Sequence, residues 1–162
     1  MEQANSQKKI VRRFVISVAA ILALTGIAKM WSAFGGAKVL VIADPILGLQ
    51  FGHLMIAVGG FELAVAGMCL FSKSQRLPLI FVAWLSTNFV VYRLGLSWMG
   101  WHRPCNCLGN LTDALHISPQ LADNIMKGVL AYLLIGSYGI LFWQWKQGRA
   151  QKVEIGNQKL GI

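Results

Sequence analysis

Hydrophobic and polar residues alternate along the chain in long blocks, so that four apolar stretches are separated by polar segments. The apolar stretches cover residues 14–34, 51–71, 77–98 and 125–145. Each has close to the roughly 20 residues that an α-helix needs to cross about 30 Å of hydrocarbon. Ser118 and Pro119 favour an early start for the fourth helix, because serine caps helix N-termini and proline suits the first helical position. We therefore predict an all-α integral membrane four-helix bundle over residues 14–145.

The composition excludes several other classes of protein. Hydrophobic residues make up 56% of the 162 residues and charged residues 13%, whereas a soluble domain carries about 25% charged residues. A soluble enzyme, a disordered tail and a disulfide-rich secreted scaffold are therefore excluded. Three cysteines are too few for a structural disulfide framework, so any cysteine chemistry must be local.

The basic residues are concentrated on one side of the predicted bundle. Ten of the fifteen lie in the head (residues 1–13), the turn after the second span or the tail (residues 146–162): Lys8, Lys9, Arg12, Arg13, Lys73, Arg76, Lys146, Arg149, Lys152 and Lys159. The two opposite loops contain only Lys38 and Arg103. By the positive-inside rule the head and tail are both predicted to be cytoplasmic. The net charge of +9 is thus explained by the orientation of the protein in the membrane. We therefore predict the lipid bilayer as its partner and do not predict binding to nucleic acid.

The first span has a second interpretation, because a basic head before an apolar run is also typical of a cleaved signal peptide. Signal-peptide cleavage requires small residues near the end of the apolar run. This span instead ends with Lys29, Met30 and Trp31, which do not fit a cleavage site. A retained helix is therefore favoured, and cleavage would leave the sidedness of the later spans unchanged.

Two cysteines separated by one residue lie in the predicted outer loop between the third and fourth spans. A disulfide between Cys105 and Cys107 would close a very small ring, and strained, exposed disulfides belong to the labile or catalytic class. Pro104 stiffens the approach to the pair, while Arg103 and His102 are placed to stabilise a thiolate. The pair is the candidate catalytic site of a thiol–disulfide oxidoreductase.

Two other functions fit the same loop. A soft metal ion such as zinc or copper could be bound by two nitrogens and two sulfurs, supplied by His102, Cys105, Cys107 and His116. Alternatively, the protein is a non-catalytic scaffold that holds a partner in the membrane, and the cysteines are incidental.

An acidic residue lies near the midpoint of the second span. Placing Glu62 there costs about 2.5–3.5 kcal/mol on insertion scales, so it should face the bundle interior and find a partner. Asn88 lies at a similar depth in the third span and is the first candidate. Glu62 is then either a proton carrier or ligand to a bound quinone, or a protonated acid that is hydrogen-bonded between helices.

Basic side chains from three spans lie one or two helical turns below the outer boundary. They are Lys29, Arg93 and Lys127, with His53 in the same layer, and we call these four residues the cationic layer. Each cation alone fits a snorkelled interface anchor, with Asp44 and Asp123 available for partial neutralisation. Together they favour an electropositive region that would stabilise a thiolate or a quinone-like anion. The third cysteine, Cys69, lies near the inner end of its span and is expected to be a small buried apolar residue.

Four short motifs, in this order on a four-span frame, resemble the MauE/DoxX group of redox-associated membrane proteins. They are Gly-Ile-Ala-Lys at 26–29, Asp-Pro at 44–45, Phe-Glu-Leu-Ala-Val-Ala-Gly at 61–67 and Pro-Cys-Asn-Cys-Leu-Gly at 104–109. The last is similar to the Cys-x-Cys-Phe-Gly of MauE-type members, with Leu108 in place of phenylalanine. The resemblance covers about residues 11 to 146.

The resemblance implies a four-helix bundle related in layout to the vitamin K epoxide reductase and disulfide-bond-formation membrane proteins. It also implies a redox role beside a thioredoxin-like partner, in the bacterial inner membrane, with the cysteine loop on the periplasmic face. MauE is tied to methylamine utilisation, where it assists maturation of a disulfide-rich dehydrogenase subunit. Quinone is a possible cofactor, although the epoxide-reductase type uses Cys-x-x-Cys and the spacer here is one residue.

Overall fold

The computed structural model describes residues 2–34, 38–72, 74–100 and 118–159, and in these residues it contains four long α-helices. A short 3₁₀ turn follows the first helix at Lys38–Val41. We number the helices in chain order: α1 (Glu2–Ala33), α2 (Phe51–Phe71), α3 (Arg76–Trp98) and α4 (Pro119–Lys159). The predicted all-α four-helix architecture is confirmed.

Each of the four helices contains a segment that is long and apolar enough to cross a membrane. These segments are Lys9–Ala33, Phe51–Phe71, Arg76–Trp98 and Gln120–Arg149. The protein is therefore an integral membrane protein, because its apolar outer surface requires lipid around it. The outer surface includes large exposed side chains such as Leu24, Ile135 and Phe142.

The first and fourth helices extend beyond the apolar stretches in the sequence. α1 begins at Glu2 and includes the basic head, while α4 continues to Lys159 and includes most of the tail. The early start of α4 is confirmed: Pro119 is its first residue, and the Leu121 N–H lies 3.4 Å from the Ser118 Oγ. At that distance the serine cap is weak.

Two pairs of helices form the bundle, because α1 packs most extensively against α2 and α3 against α4. The central residues of α1 recur every three or four positions, which places them on one face of the helix: Val11, Val15, Val18 and Leu22. They pack with core residues from the other three helices, including Val65, Cys69, Val82 and Leu133. Cys69 is 8% exposed, in agreement with its predicted role as a small buried residue.

The two ends of the bundle differ in polarity. We call the end where α1 begins and α4 ends the terminal end, and the end where α1 meets α2 through residues 34–50 the loop end. The apolar core lies toward the terminal end. Buried charged side chains lie toward the loop end, and they are Lys29, Asp44 and Glu62. The buried charged side chains in the described part of the bundle therefore lie between its middle and its loop end.

Candidate functional site

A buried ion pair joins α1 to α2 between the middle of the bundle and its loop end. The Lys29 Nζ donates to the Glu62 Oε1 at 2.6 Å, and the two side chains are only 7% and 2% exposed. The ammonium group also lies 5.5 Å from the centre of the Phe89 ring on α3, within the range of a cation–π contact. Three helices are thus connected around one buried cation.

The close approach of α1 and α2 brings this pair together. A Cβ atom on Gly26 would lie 3.0 Å from the Gly59 carbonyl oxygen, and one on Gly59 would lie 3.0 Å from the Gly26 oxygen. Small residues allow such backbone contact in membrane helices. Helical side chains lean toward the N-terminus of their own helix, so in this antiparallel pair the side chains of Lys29 and Glu62 lean toward each other.

The predicted partner of Glu62 is therefore wrong. Asn88 is exposed, and its Nδ2 donates to the Trp84 carbonyl oxygen of its own helix at 2.8 Å. The estimated depth in the membrane favours Asn88 as the partner of Glu62, because it places Lys29 nearer to the outer membrane boundary. The long lysine stem and the Gly26–Gly59 contact instead let Lys29 reach Glu62.

One oxygen of Glu62 has no hydrogen-bond partner although it is buried. This atom is Oε2. The Thr25 hydroxyl shares its proton between main-chain carbonyls of α1, those of Ile21 at 3.1 Å and Leu22 at 3.3 Å, and it is also the side-chain donor placed beside the carboxylate. A buried carboxylate oxygen that lacks a donor is costly, so this position favours a hydrogen-bond donor.

A cavity of about 60 Å³ adjoins the ion pair and is bounded by all four helices. Its polar end is formed by Lys29, Glu62 and Arg93 together with Thr25, and most of its remaining wall is apolar, including Phe89. Sequence patterns gave no signal for this cavity, because an apolar residue that lines a cavity looks the same as one that packs in a core.

Asp44 fixes the loop between α1 and α2 to the third helix. It is 1% exposed, and its Oδ1 accepts the main-chain N–H groups of Ile46 at 2.9 Å and Leu47 at 2.8 Å. Its Oδ2 accepts the Tyr92 hydroxyl. Asp44 is thus committed to a turn and to α3, and the sequence had not indicated Tyr92 as its partner.

Two other cations of the cationic layer, Arg93 and Lys127, share one anionic partner. Arg93 pairs with Asp123, and the Lys127 Nζ lies 2.8 Å from the Asp123 Oδ2. One carboxylate thus faces two cations, which leaves this group with a single excess positive charge. His53 is exposed on α2. Of the electropositive region predicted from Lys29, Arg93 and Lys127, the excess positive charge among the described residues therefore lies on the Arg93–Lys127 side of the bundle.

The predicted cysteine site lies outside the described residues, which resume at Ser118 after Gly100. This applies to Cys105, Cys107, His102 and Arg103, and also to His116 of the alternative metal set. Among the residues that the structure describes, no group of three or more His, Cys, Asp or Glu side chains is arranged to hold a metal ion. The cysteine pair and the metal set both remain predictions.

Comparison with known proteins supplies the family. The family model described as "Methylamine utilisation protein MauE" matches residues 7–144, a range that contains the ion pair, the cavity and the cysteine loop. Neither the curated proteins nor the solved structures include a match. Since the family model covers most of the 162 residues, the chain belongs to the MauE family of membrane proteins associated with methylamine utilisation.

Proposed function

We propose that this protein is a membrane thiol–disulfide exchange protein whose reactive groups are Cys105 and Cys107, with a thioredoxin-like protein as its partner. The observation that carries the proposal is the Cys-x-Cys spacing in the segment between α3 and α4, on a four-helix frame of the MauE family. A thiolate of one cysteine attacks the partner's disulfide to give a mixed disulfide, and the second cysteine resolves it. Two thiols of the membrane protein are oxidised while the partner's disulfide is reduced, and the reverse sequence transfers electrons the other way.

The position of the third cysteine supports this assignment of roles. Cys69 is buried in the apolar core, 18 residues along α2 from Phe51 at the loop end. At about 1.5 Å per residue this separation is about 27 Å. The segment that contains Cys105 and Cys107 connects the loop-end termini of α3 and α4. A dithiol mechanism within one chain therefore uses Cys105 and Cys107.

The membrane orientation is part of the same proposal. The concentration of lysine and arginine at the terminal end supports a cytoplasmic location for both termini. The cysteine loop would then face the periplasm of a bacterial inner membrane, where disulfides persist. A membrane-impermeant maleimide added to intact spheroplasts should label reduced Cys105 and Cys107, whereas labelling only after the membrane is opened would contradict this orientation.

Mixed-disulfide trapping with the full chain in lipid nanodiscs tests the exchange reaction. The probe is an oxidised thioredoxin-like protein of high reduction potential (about −120 mV for the strongest oxidants of this class), because a strained, easily reduced disulfide re-forms only at the expense of a stronger oxidant. Both Cys105→Ser and Cys107→Ser should lose turnover, and the variant that keeps the attacking cysteine should accumulate a mixed disulfide. Cys69→Ala is the matched control and should turn over normally. Turnover at the wild-type rate in both loop variants would refute the proposal.

A further inference from the structure

We infer that Lys146 and Arg149, near the terminal end of α4, form a binding site for the head group of an anionic phospholipid. The segment that contains the cysteine pair connects helices at the opposite end of the bundle, so binding at this site requires no thiol. The inference therefore goes beyond the proposed exchange function and can be tested on its own.

The two ends of the bundle differ in how their charges are balanced. Toward the loop end, the described lysine and arginine side chains are all ion-paired with carboxylates, and they are Lys29, Arg93 and Lys127. At the terminal end, six exposed cations have no carboxylate partner among the side chains that the structure describes: Lys9, Arg12, Arg13, Arg76, Lys146 and Arg149. These six cations need counterions from outside the chain, and anionic head groups at the membrane surface supply them.

Two of the six cations are held over aromatic rings that lie one turn earlier on the same helix. The Lys146 Nζ lies 5.4 Å from the centre of the Phe142 ring, and the Arg149 Cζ lies 4.0 Å from the centre of the Trp145 ring. The two rings are themselves stacked, with their centroids 5.8 Å apart. Cation–π contacts of this kind restrict both cations before a ligand arrives. A guanidinium that rests on a ring keeps N–H donors at its edge, and these match the oxygens of a phosphate.

The direction of α4 places these two cations at the level of the lipid head groups. Helical side chains lean toward the N-terminus of their own helix, and α4 begins at the loop end. Lys146 and Arg149 therefore lean back toward the apolar part of the bundle, where their rings lie. The exposed cations of α1 lean the other way, because α1 begins at the terminal end.

An apolar stripe on the same helix provides a surface for the acyl chains. Ile135, Tyr138, Phe142 and Trp145 are all exposed, and their spacing of three or four residues places them on one side of α4. From the first to the last of them the stripe extends about 15 Å along the helix. A phospholipid contacts both the cations and this stripe, whereas a free phosphate contacts only the cations.

Binding of phosphatidylglycerol and of phosphatidylcholine tests the inference on the full chain in detergent micelles. Native mass spectrometry resolves each bound lipid and gives the Kd of the first one. We expect the anionic lipid to bind about five- to thirtyfold more tightly, as one or two cations beside its head group imply. Equal Kd values for the two lipids would overturn the inference. Competition by glycerol phosphate at the affinity of the lipid would also overturn it, because the site would then take a free phosphate.

Two double substitutions locate the site, and both remove two positive charges from the terminal end. Lys146→Gln with Arg149→Gln should abolish the preference for phosphatidylglycerol. Arg12→Gln with Arg13→Gln is the matched control and should keep most of the preference, because these two cations lean away from the apolar part of the bundle. All four side chains are exposed, so both variants should keep the helical content of the wild type. Equal losses in the two variants would overturn the α4 site and indicate a diffuse attraction to the basic surface.

Two single substitutions complete the controls. Lys127→Gln removes a cation that already lies 2.8 Å from the Asp123 carboxylate at the other end of the bundle, and it should leave the preference unchanged. A loss as large as that of the α4 double variant would overturn the inference. Cys105→Ser should bind phosphatidylglycerol normally, so failure of the exchange proposal and failure of this one give different results.

Discussion

Replacement of Lys29 or Glu62 by methionine should destabilise the bundle strongly, whereas replacement of both should cost far less. The N–O distance of 2.6 Å gives an attraction of about 6 kcal/mol at an effective dielectric constant of about 20. Burial offsets much of this attraction, because each ion loses several kcal/mol of hydration. Removal of one partner leaves the other charge buried and unpaired, so each single variant should lose about 3–5 kcal/mol of unfolding free energy.

The double variant, with methionine at both positions, separates the Lys29–Glu62 interaction energy from the separate effects of losing each side chain. With methionine at both positions no buried charge remains, so its stability should fall within about 1–2 kcal/mol of wild type. The four unfolding free energies, measured by SDS titration in mixed detergent–lipid micelles, should give a coupling energy of about 3 kcal/mol or more. Lys127→Met is the control, since Lys127 is 61% exposed beside Asp123 and should cost about 1 kcal/mol or less. Additive effects of the two single substitutions would refute the reasoning.

Two further predictions concern the loop-end half of the bundle. Gly26→Ala should lower the unfolding free energy by about 1–3 kcal/mol in the same titration, because its Cβ would lie 2.9 Å from the Leu63 Cγ and 3.0 Å from the Gly59 carbonyl oxygen. Gly60→Ala is the control and should be close to neutral, because a Cβ there would have nothing within 4 Å. Equal effects of the two substitutions would contradict the close contact between α1 and α2. Tyr92→Phe should cost about 1–3 kcal/mol by removing a hydrogen bond to the Asp44 carboxylate, and should speed hydrogen exchange of the Ile46 and Leu47 amides, which Asp44 binds. Unchanged exchange of these amides would show that Tyr92 does not hold the turn.

The helices were predictable because membrane insertion imposes a strong and simple pattern. Each span must be long and apolar, and the second and third spans in the sequence correspond to helices at Phe51–Phe71 and Arg76–Trp98. Helix ends outside the lipid are not subject to this requirement. The apolar pattern therefore did not show that α1 extends back to Glu2 or that α4 continues to Lys159.

The site could be predicted only as a set of residue types at approximate depths. The pattern indicated that Glu62 needs a partner, but it did not show that Gly26 and Gly59 let the backbones meet and thereby select Lys29 rather than Asn88. Pairing of this kind depends on which helix faces which, and hydropathy contains no such information. For the same reason the pairing of Asp44 with Tyr92 and the position of the cavity required the three-dimensional structure.

The most direct test of the central claim is the redox state of Cys105 and Cys107 in native membranes. Thiols would be alkylated before and after mild reduction, and the peptide masses would report how many reagents each state accepts. We expect a pair that is oxidised as isolated, opens with mild reductant and closes again when an oxidised thioredoxin-like protein of high reduction potential is added. A pair that is reduced and becomes reactive only after addition of a chelator, or one that is freely reactive and never cycles, would contradict thiol–disulfide exchange.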